Sequence, residues 1–164
     1  MSKTVLRVKN LETFYGPVMA IRGVTLEVGK GQIVTILGSN GAGKTTILKT
    51  ISGAIEPQKG SVEFDGEAIT DMEPDKIARS GIRHVPEGRE VFPFLTVREN
   101  LEVGAFSEPD RKKVQRQMDR VFDFFPDLSR LCNHEAVYLS GGQQQMLAIG
   151  LSLIHISEPT RRTT

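Results

Sequence analysis

The sequence predicts an α/β fold in which a core of parallel strands lies beside an antiparallel β flap and carries a helical subdomain. Three observations predict it. A β-branched run, a Gly-rich loop and a helical pattern follow one another over residues 32–52. Short strand-like runs stand on both sides of that unit, as expected of a flap. The stretch from about 88 to 135 carries the start signal and the apolar stripe of helices.

The first strands precede the Gly-rich loop. Residues 4–8 and 24–28 show the alternating or clustered apolar side chains that are typical of strands. Two glycines in residues 29–31 then turn the chain. The apolar, β-branched run at 32–37 predicts a parallel strand that is buried in the core.

Residues 38–45 read G-S-N-G-A-G-K-T and match the phosphate-loop (Walker A) template G-x-x-x-x-G-K-[ST]. The glycines let successive backbone N–H groups point at one anion, and the following helix, apolar at 47, 48 and 51, aims its positive end at the same place. Lys44 supplies a charge for the outer phosphates, and the Thr45 hydroxyl is a ligand for Mg²⁺. The competing interpretation is an accidental match in a Gly-rich turn, which the flanking strand and helix patterns argue against.

Three further elements follow the loop. Residues 61–64 predict a strand entered from a turn at 57–60. Residues 74–79 predict a short helix that starts at a proline and ends at Gly81. The apolar run at 82–85 predicts another core strand.

The helical subdomain is expected at about residues 88–135. Residues 96–99 read T-V-R-E, a capping box that starts a helix reaching about Phe106. From about Asp110 a longer helix carries one apolar stripe at 114, 118, 121, 122 and 125. Its aromatic side chains are more typical of core or docking surface than of a cofactor site: Phe122, Phe124 and Phe125.

Composition narrows the class of protein. The 164 residues hold 21 Lys and Arg against 20 Asp and Glu, so charge gives no reason to expect nucleic acid. The basic run at 111–113 predicts a solvated helix start. A single cysteine, Cys132, excludes an internal disulfide, and its use as a catalytic thiol is the less favoured interpretation. No apolar run reaches the roughly 20 residues of a membrane span and no export signal is visible, so a cytosolic protein is expected.

A second motif follows the loop along the chain, because residues 139–143 read L-S-G-G-Q. With both motifs in this order, residues 1 to about 150 resemble an ATPase subunit of a bacterial ATP-binding-cassette (ABC) importer. The resemblance implies a P-loop NTPase (ABC-ATPase) core that takes ATP and Mg²⁺. It also implies that Tyr15, the aromatic in F-Y-G, stacks on adenine, the other interpretation being an ordinary strand-end tyrosine. The ATP-binding residues it implies beside Tyr15 are Gly38, Ser39, Asn40, Gly41, Ala42, Gly43, Lys44, Thr45 and Thr46, with Thr45 on Mg²⁺.

The resemblance implies that the second motif contacts a nucleotide held by a partner subunit. A helix N-terminus and small side chains would there approach the γ-phosphate of ATP held by a second subunit. The other interpretation is a helix N-cap without a ligand. The signature residues are Leu139, Ser140, Gly141, Gly142 and Gln143.

A third segment assigns the subgroup. Residues 84–89 read H-V-P-E-G-R, followed by V-F-P at 91–93 and L-T-V at 95–97. Glu87 stands where most members of the family carry the glutamine that senses the γ-phosphate and magnesium. Glutamate there resembles importers of branched-chain amino acids, whereas the related importers of urea or short amides tend to keep glutamine. His84 is expected to be structural.

The resemblance also implies partners and a location. These are a second ATPase subunit, two transmembrane permease subunits and, indirectly, a periplasmic binding protein, with no nucleic acid. The expected location is cytoplasmic, on the inner face of the plasma membrane through the permeases.

The sequence departs from the family after the signature. The family's strand ending in Asp-Glu (Walker B) and its switch histidine are not found, so no catalytic residue is assigned. Residues 156–160 read I-S-E-P-T and only mimic that strand, with Ser157 in place of the aspartate, and His155 is not the switch histidine. The expectation is a partial ABC ATPase domain at 1–150, without the C-terminal core strands, and a non-native tail at 151–164. The alternative for the tail is a genuine truncation or frameshift of the gene. Such a chain is expected to be inactive alone and to fold poorly.

Three other functions compete with the importer assignment. A soluble ABC ATPase of DNA repair or translation would show coiled-coil insertions or tandem cassettes. A kinase or GTPase that shares only the phosphate loop would lack the signature, and no guanine-reading N-K-x-D is present. A fragment with no activity of its own is the remaining possibility.

Overall fold

The computed structural model describes residues 3–88, 90–106 and 108–154. The chain divides into two compact units, Met1–His84 and Val85–Thr164. The first is built on a β-sheet and the second on helices.

The first unit contains a four-stranded antiparallel sheet in the order β2-β1-β3-β4. The strands are β1 Thr4–Tyr15, β2 Val18–Gly29, β3 Lys59–Phe64 and β4 Glu67–Ala68. The strands predicted at 4–8, 24–28 and 61–64 are confirmed, and all three extend beyond those limits. The predicted antiparallel flap is therefore present.

Two extra residues in β2 curve the hairpin that joins it to β1. The paired positions run from Leu11↔Val24 to Thr13↔Ile21 and then to Phe14↔Met19, so β2 gains one residue at each step while β1 stays regular. Because side chains alternate along a regular strand, Leu11, Thr13 and Tyr15 lie on one face of β1.

One face of this sheet packs against two helices, α1 Lys44–Ile51 and α2 Pro74–Ser80. As predicted, α2 begins at a proline and ends at Gly81, whose φ of 116° is open to glycine. In α1 the predicted apolar positions 47 and 51 are buried, whereas Leu48 is exposed. The buried core of the unit consists of Val8, Leu11, Ile21, Ile47, Ile51, Val62, Ile69 and Ile77.

Charged side chains cross the strands of the sheet. Arg7 bonds Glu27 at 2.7 Å and Glu63 at 3.4 Å, and Lys9 lies 3.9 Å from Glu63. The hydrogen bond and charge of Glu27, followed by those of Glu63, raise the pKa of Arg7. The side chains of these groups are one third to just over one half exposed, so solvent screens each pair and its contribution to stability is small.

Two predicted core strands are wrong in this structure. Residues 32–37 and 82–85 form no strand, and Ile33 and Leu37 are 96% and 87% exposed. A strand requires a neighbour that pairs with its backbone groups, and within the described residues the sheet consists of the four flap strands alone. Gln32 bonds to its near neighbour Gly29: its N–H donates to the Gly29 carbonyl at 3.0 Å, and its Oε1 accepts the Gly29 N–H at 2.8 Å. Residues 32–37 are apolar and β-branched as a buried strand would be, but this composition does not show whether another strand pairs with them.

The second unit consists of helices α3 Val97–Gly104, α4 Arg111–Phe124, α5 Pro126–Arg130 and α6 Gly141–Ile154, with a 3₁₀ turn at Ala136–Tyr138. The predicted capping box is confirmed: Thr96 caps α3, and the Glu99 side chain returns to the Thr96 N–H. Asp110 caps α4 through the N–H groups of Lys112 and Lys113. Phe122 and Phe125 pack partly on the core, whereas Phe124 is 64% exposed.

Two glycines let α6 approach its neighbours closely. A Cβ on Gly150 would lie 2.8 Å from Val121 Cγ1 in α4, and one on Gly104 in α3 would lie 2.8 Å from Leu151 Cδ2. The sequence of α6 contains no charged residue, and apolar packing is joined by a hydrogen bond from Gln144 Nε2 to the Ala136 carbonyl at 3.0 Å. The buried core around it consists of Val97, Leu101, Ala105, Val114, Met118, Val121, Leu128, Ala136, Leu139, Leu147 and Ile154. None of the helices in the described ranges is long and apolar enough to cross a membrane.

Candidate functional site

The phosphate loop begins in the irregular segment 32–43 and ends in α1. Gly41 and Gly43 have φ angles of 83° and 87°, and Gly43 is the N-cap of α1. The Ala42 N–H donates to the Ser39 carbonyl at 3.2 Å, and the first helical bond runs from Ile47 N–H to Gly43 O at 2.9 Å. No side chain of the described chain caps this helix end. Its backbone N–H groups are therefore placed to bind an anion.

Lys44 is folded back onto the loop. Its Nζ donates to the carbonyl oxygens of Gly38 at 2.9 Å and Ser39 at 2.7 Å. An ammonium group has three donors, so these two bonds leave one hydrogen for a phosphate oxygen. The charge is thus held beside the amides of the loop.

The two positive-φ glycines of the loop differ in their surroundings. A Cβ on Gly43 would lie 2.5 Å from Ile21 Cγ2 and 2.9 Å from the Ala20 carbonyl oxygen. A Cβ on Gly41 would have no atom of the described residues outside its own chain neighbours within 4 Å. The extra residues of β2 place Ala20 and Ile21 against the end of the loop. Gly43 is therefore required by packing as well as by its backbone angle.

Tyr15 lies on the same hairpin. It ends β1, pairs with Val18 and is 49% exposed, so its ring is available for stacking. Thr45 and Thr46 lie in the first turn of α1, Thr45 half-buried and Thr46 buried. All the predicted ATP-binding residues thus belong to the first unit.

Sequence reasoning missed a pair of buried hydroxyl groups near this loop. Thr13 in β1 and Thr50 in α1 are 0% and 4% exposed, and their Oγ1 atoms lie 3.1 Å apart. Thr50 also donates to the Thr46 carbonyl at 2.8 Å. The available signal was a polar residue at an inward-facing position in both elements.

The remaining predicted site residues belong to the second unit. Glu87 is exposed in a turn completed by Gly88, whose φ is 104°. The signature residues begin α6. Leu139 is buried, whereas Gly142 is exposed, and in the described part of the chain no atom beyond its own helix neighbours lies within 4 Å of a Cβ built there.

Ser140 and Gln143 form a second capping box. The Gln143 N–H donates to Ser140 Oγ at 3.3 Å, and the Ser140 N–H donates to Gln143 Oε1 at 2.9 Å. Ser140 is therefore the N-cap of α6, and the capping bonds leave open whether this helix end also binds a nucleotide. A capped helix still presents its positive end and an open glycine to an anion.

Asn100 is a buried polar residue that the sequence reasoning also missed. It is 0% exposed, its Oδ1 accepts the Phe92 N–H at 2.8 Å, and its Nδ2 donates to the carbonyls of Phe92, Leu95 and Thr96. Its position between the buried Val97 and Leu101 was the available signal. The amide group fixes the loop that leads into α3.

The same loop is bonded to the segment that leads to the signature. The N–H groups of Ala136 and Val137 donate to the carbonyls of Leu95 and Pro93 at 2.9 and 2.8 Å. The Val97 N–H donates to the His134 carbonyl at 3.0 Å. These bonds hold the two segments of the second unit together.

A cavity of about 620 Å³ lies between α3 and the start of α4. Its lining combines apolar groups such as Val103 and the exposed Phe106 with charged groups. The charged groups are three carboxylates and one guanidinium: Glu99, Glu102, Glu108 and Arg111. Hydrogen bonds from Lys113 first, and then from the Asp110 N–H, lower the pKa of Glu108.

The predicted tail falls mostly outside the described residues, which include neither His155 nor the segment 156–160. Residues 151–154 continue α6, and Ile154 is buried.

Comparison with known proteins gives a consistent result. The profile of the ABC transporter family matches residues 21–158. The high-affinity branched-chain amino acid transport ATP-binding protein BraG of Pseudomonas aeruginosa is 44% identical over 150 residues, which are 92% of this chain and 64% of BraG. The chain thus spans slightly less than two thirds of that relative's length.

Two solved structures are similar over most of the chain. A nucleotide-free ATP-binding cassette from an ABC transporter has a TM-score of 0.80 at 30% identity, covering 92% of this chain and 65% of that one. The dimeric bacterial ABC transporter cassette MJ0796 has a TM-score of 0.76 at 27% identity, covering 91% and 69%.

Proposed function

We propose, from the premise that this chain belongs to the ABC transporter family, that it forms the ATP-binding part of a subunit that energises import of branched-chain amino acids. One observation carries the proposal: a Gly-rich loop with two positive-φ glycines opens onto an uncapped helix N-terminus, with the ammonium group of Lys44 held beside it. That arrangement suits a triphosphate.

The chain's own groups divide the work of binding the nucleotide. The amides of the loop and of the first turn of α1 hold phosphate oxygens, and Lys44 neutralises their charge. Tyr15 stacks on the adenine. Thr45 would be the protein ligand of Mg²⁺, and the ion would offset the negative charge of the phosphates.

The signature supports assembly with a second ATPase subunit. The capped N-terminus of α6 and the open Gly142 suit the γ-phosphate of a nucleotide held by that partner. The dimer of a similar cassette is consistent with such an assembly. Two subunits would then close around two ATP molecules.

The second unit offers surfaces for transmembrane permeases on the cytoplasmic face of the plasma membrane. Glu87 is exposed in its turn, and the cavity beside α3 combines an apolar lining with carboxylates. A short cytoplasmic helix with apolar and basic side chains would complement that cavity. A periplasmic binding protein would deliver the cargo to the permeases.

The proposed cargo follows from the subgroup of ABC importers that the chain resembles. The glutamate in the H-V-P-E-G-R segment and the transport named for BraG both favour branched-chain amino acids. The protein would not itself contact the amino acid, because the permeases and the binding protein carry it.

Two experiments test the proposal at separate levels. Titration of the chain with MgATP by isothermal calorimetry should give saturable binding below about 1 mM, and a folded chain that binds no MgATP would overturn the nucleotide role. Leucine and urea uptake should then be compared in cells that express the gene with its neighbouring permease and binding-protein genes. ATP-dependent uptake of urea alone would overturn the amino acid assignment.

A further inference from the structure

Buried hydroxyl groups tie the strand that ends at Tyr15 to the helix that follows the phosphate loop. The Oγ1 atoms of Thr13 and Thr50 lie 3.1 Å apart, and Thr50 Oγ1 donates to the Thr46 carbonyl at 2.8 Å. A hydroxyl group has one hydrogen. Because that of Thr50 goes to Thr46, Thr13 is the donor to Thr50, and the chain of hydrogen bonds runs from β1 into the first turn of α1.

Both ends of this series of hydrogen bonds lie at or near residues that are predicted to contact the nucleotide. Thr13 lies two residues before Tyr15 on the same face of β1, which is regular there. Thr46 lies in the turn of α1 that continues the phosphate loop. The bond between the two hydroxyls therefore sets the spacing between the element that presents the aromatic ring and the element that holds the phosphates.

The close spacing depends on the hydroxyl groups themselves. Two carbon atoms in contact lie about 3.5–4.0 Å apart, whereas the two oxygens lie at 3.1 Å. Replacing both threonines with valine would move β1 and α1 apart by roughly 0.5–1 Å. Offset stacking of a ring on a base is sensitive to displacements of this kind.

We propose that Thr13 and Thr50 are positioning residues that set the distance between the adenine platform, Tyr15, and the triphosphate-binding loop. The inference rests on the proposed function, because it requires that Tyr15 contacts the base. The pair therefore governs the part of the ATP affinity that comes from the base. The part of the affinity that comes from the phosphates does not depend on it.

The test compares two probes, MgATP and inorganic triphosphate with magnesium, by isothermal calorimetry on the 164-residue chain. Both probes present three phosphates, but only ATP has a base. In Thr13→Val/Thr50→Val both partners of the hydrogen bond become apolar at similar size, which keeps stability near that of the unaltered chain. The Kd for MgATP should rise about fivefold, while that for triphosphate should change less than about twofold.

Matched variants make the comparison specific. Thr25→Val removes a hydroxyl that accepts the Asn10 N–H at 3.0 Å on the same hairpin, and both affinities should stay unchanged. Thr13→Ser keeps a hydroxyl at position 13, so its affinity for MgATP should equal that of the unaltered chain. If the double variant does not fold, Thr13→Val alone should show the same selective loss at smaller size.

Tyr15→Ala separates the two proposals. If it weakens MgATP selectively and the double variant does not, the positioning role is wrong and the proposed function stands. Equal weakening of both probes by the double variant would likewise overturn the positioning role, because it indicates a general structural effect. If Tyr15→Ala shows no selective loss, both the platform and the positioning role are wrong.

Discussion

The ammonium group of Lys44 donates a hydrogen bond to the carbonyl oxygen of Ser39 at 2.7 Å. A second bond to the Gly38 carbonyl makes the lysine a fixed part of the phosphate loop. The positive charge is therefore already held at the phosphate loop by these two hydrogen bonds.

Lys44→Ala should weaken MgATP binding by about tenfold to a hundredfold, because a charge-assisted bond to the phosphates is lost. Alanine favours helices, so α1 should persist. Calorimetric titration measures the effect. Lys49→Ala, in the last turn of the same helix, is the control, and an equal loss there would show that the effect is not specific to the loop.

Gly43→Ala should destabilise the protein more than Gly41→Ala. Both residues have φ near 85°, so each substitution costs about 1 kcal/mol in backbone strain. Only the Cβ at 43 meets Ile21 and the Ala20 carbonyl, which should add roughly 1–3 kcal/mol. Urea unfolding of the two variants measures the difference, and equal free energies of unfolding would contradict the close packing of the loop on β2.

Ser140→Ala should lower the free energy of unfolding by about 1 kcal/mol through loss of the N-cap. Ser140→Asn should keep the cap and most of the stability. Because the asparagine side chain is larger, it should nevertheless reduce MgATP-driven association of two copies, followed by sedimentation velocity. Unchanged association in Ser140→Asn would favour a signature serine that only caps the helix.

The loss of folding stability at acidic pH should depend on Glu99. The backbone N–H of Thr96 and then its hydroxyl donate to Glu99 and hold its pKa below the ordinary value of 4.5. A depressed pKa contributes stability that is complete above the ordinary value and is lost as the pH falls through the folded-state value. Thermal melting below pH 4.5 should therefore be less pH-dependent in Glu99→Gln, which keeps a capping side chain without a titrating proton. Identical acid profiles would mean that the carboxylate form is not favoured by folding.

Asn100→Ala should cost roughly 2–3 kcal/mol in urea unfolding, because the Phe92 N–H loses its buried acceptor and three carbonyls lose a donor. Hydrogen exchange should quicken at Phe92 and at Ala136 and Val137, whose bonds go to the same loop. The exposed Asn133→Ala is the control. Faster exchange at Phe92 alone would limit the role of Asn100 to one bond.

The predicted fold class, with its antiparallel flap and helical subdomain, is confirmed by the similar ABC transporter cassettes. Elements with local signals were predicted well. The Thr96–Glu99 capping box satisfies backbone groups within four residues, and the proline that starts α2 removes an N–H that would have no partner in the helix, so the cause lies in the local sequence. The predicted helix start at about Asp110 is likewise confirmed.

Elements that depend on distant partners were predicted poorly. The run at 32–37 has the composition of a buried strand, but no described strand pairs with it, and Ile33 is 96% exposed. The Thr13–Thr50 bond joins residues 37 positions apart, and Asn100 is explained only by the loop that folds over it. Tertiary contacts of this kind leave no periodic signature in one sequence.

The uncharged helix α6 has a consequence for ionic strength. Added salt screens exposed charges within a Debye length of about 10 Å or less, and it strengthens or leaves intact the burial of apolar surface. Exchange of the α6 amides should therefore be insensitive to sodium chloride, whereas the strands joined by Arg7, Glu27 and Glu63 should open slightly more readily. The electrolyte of a buffer would then act on the strands joined by these ion pairs and leave α6 unaffected.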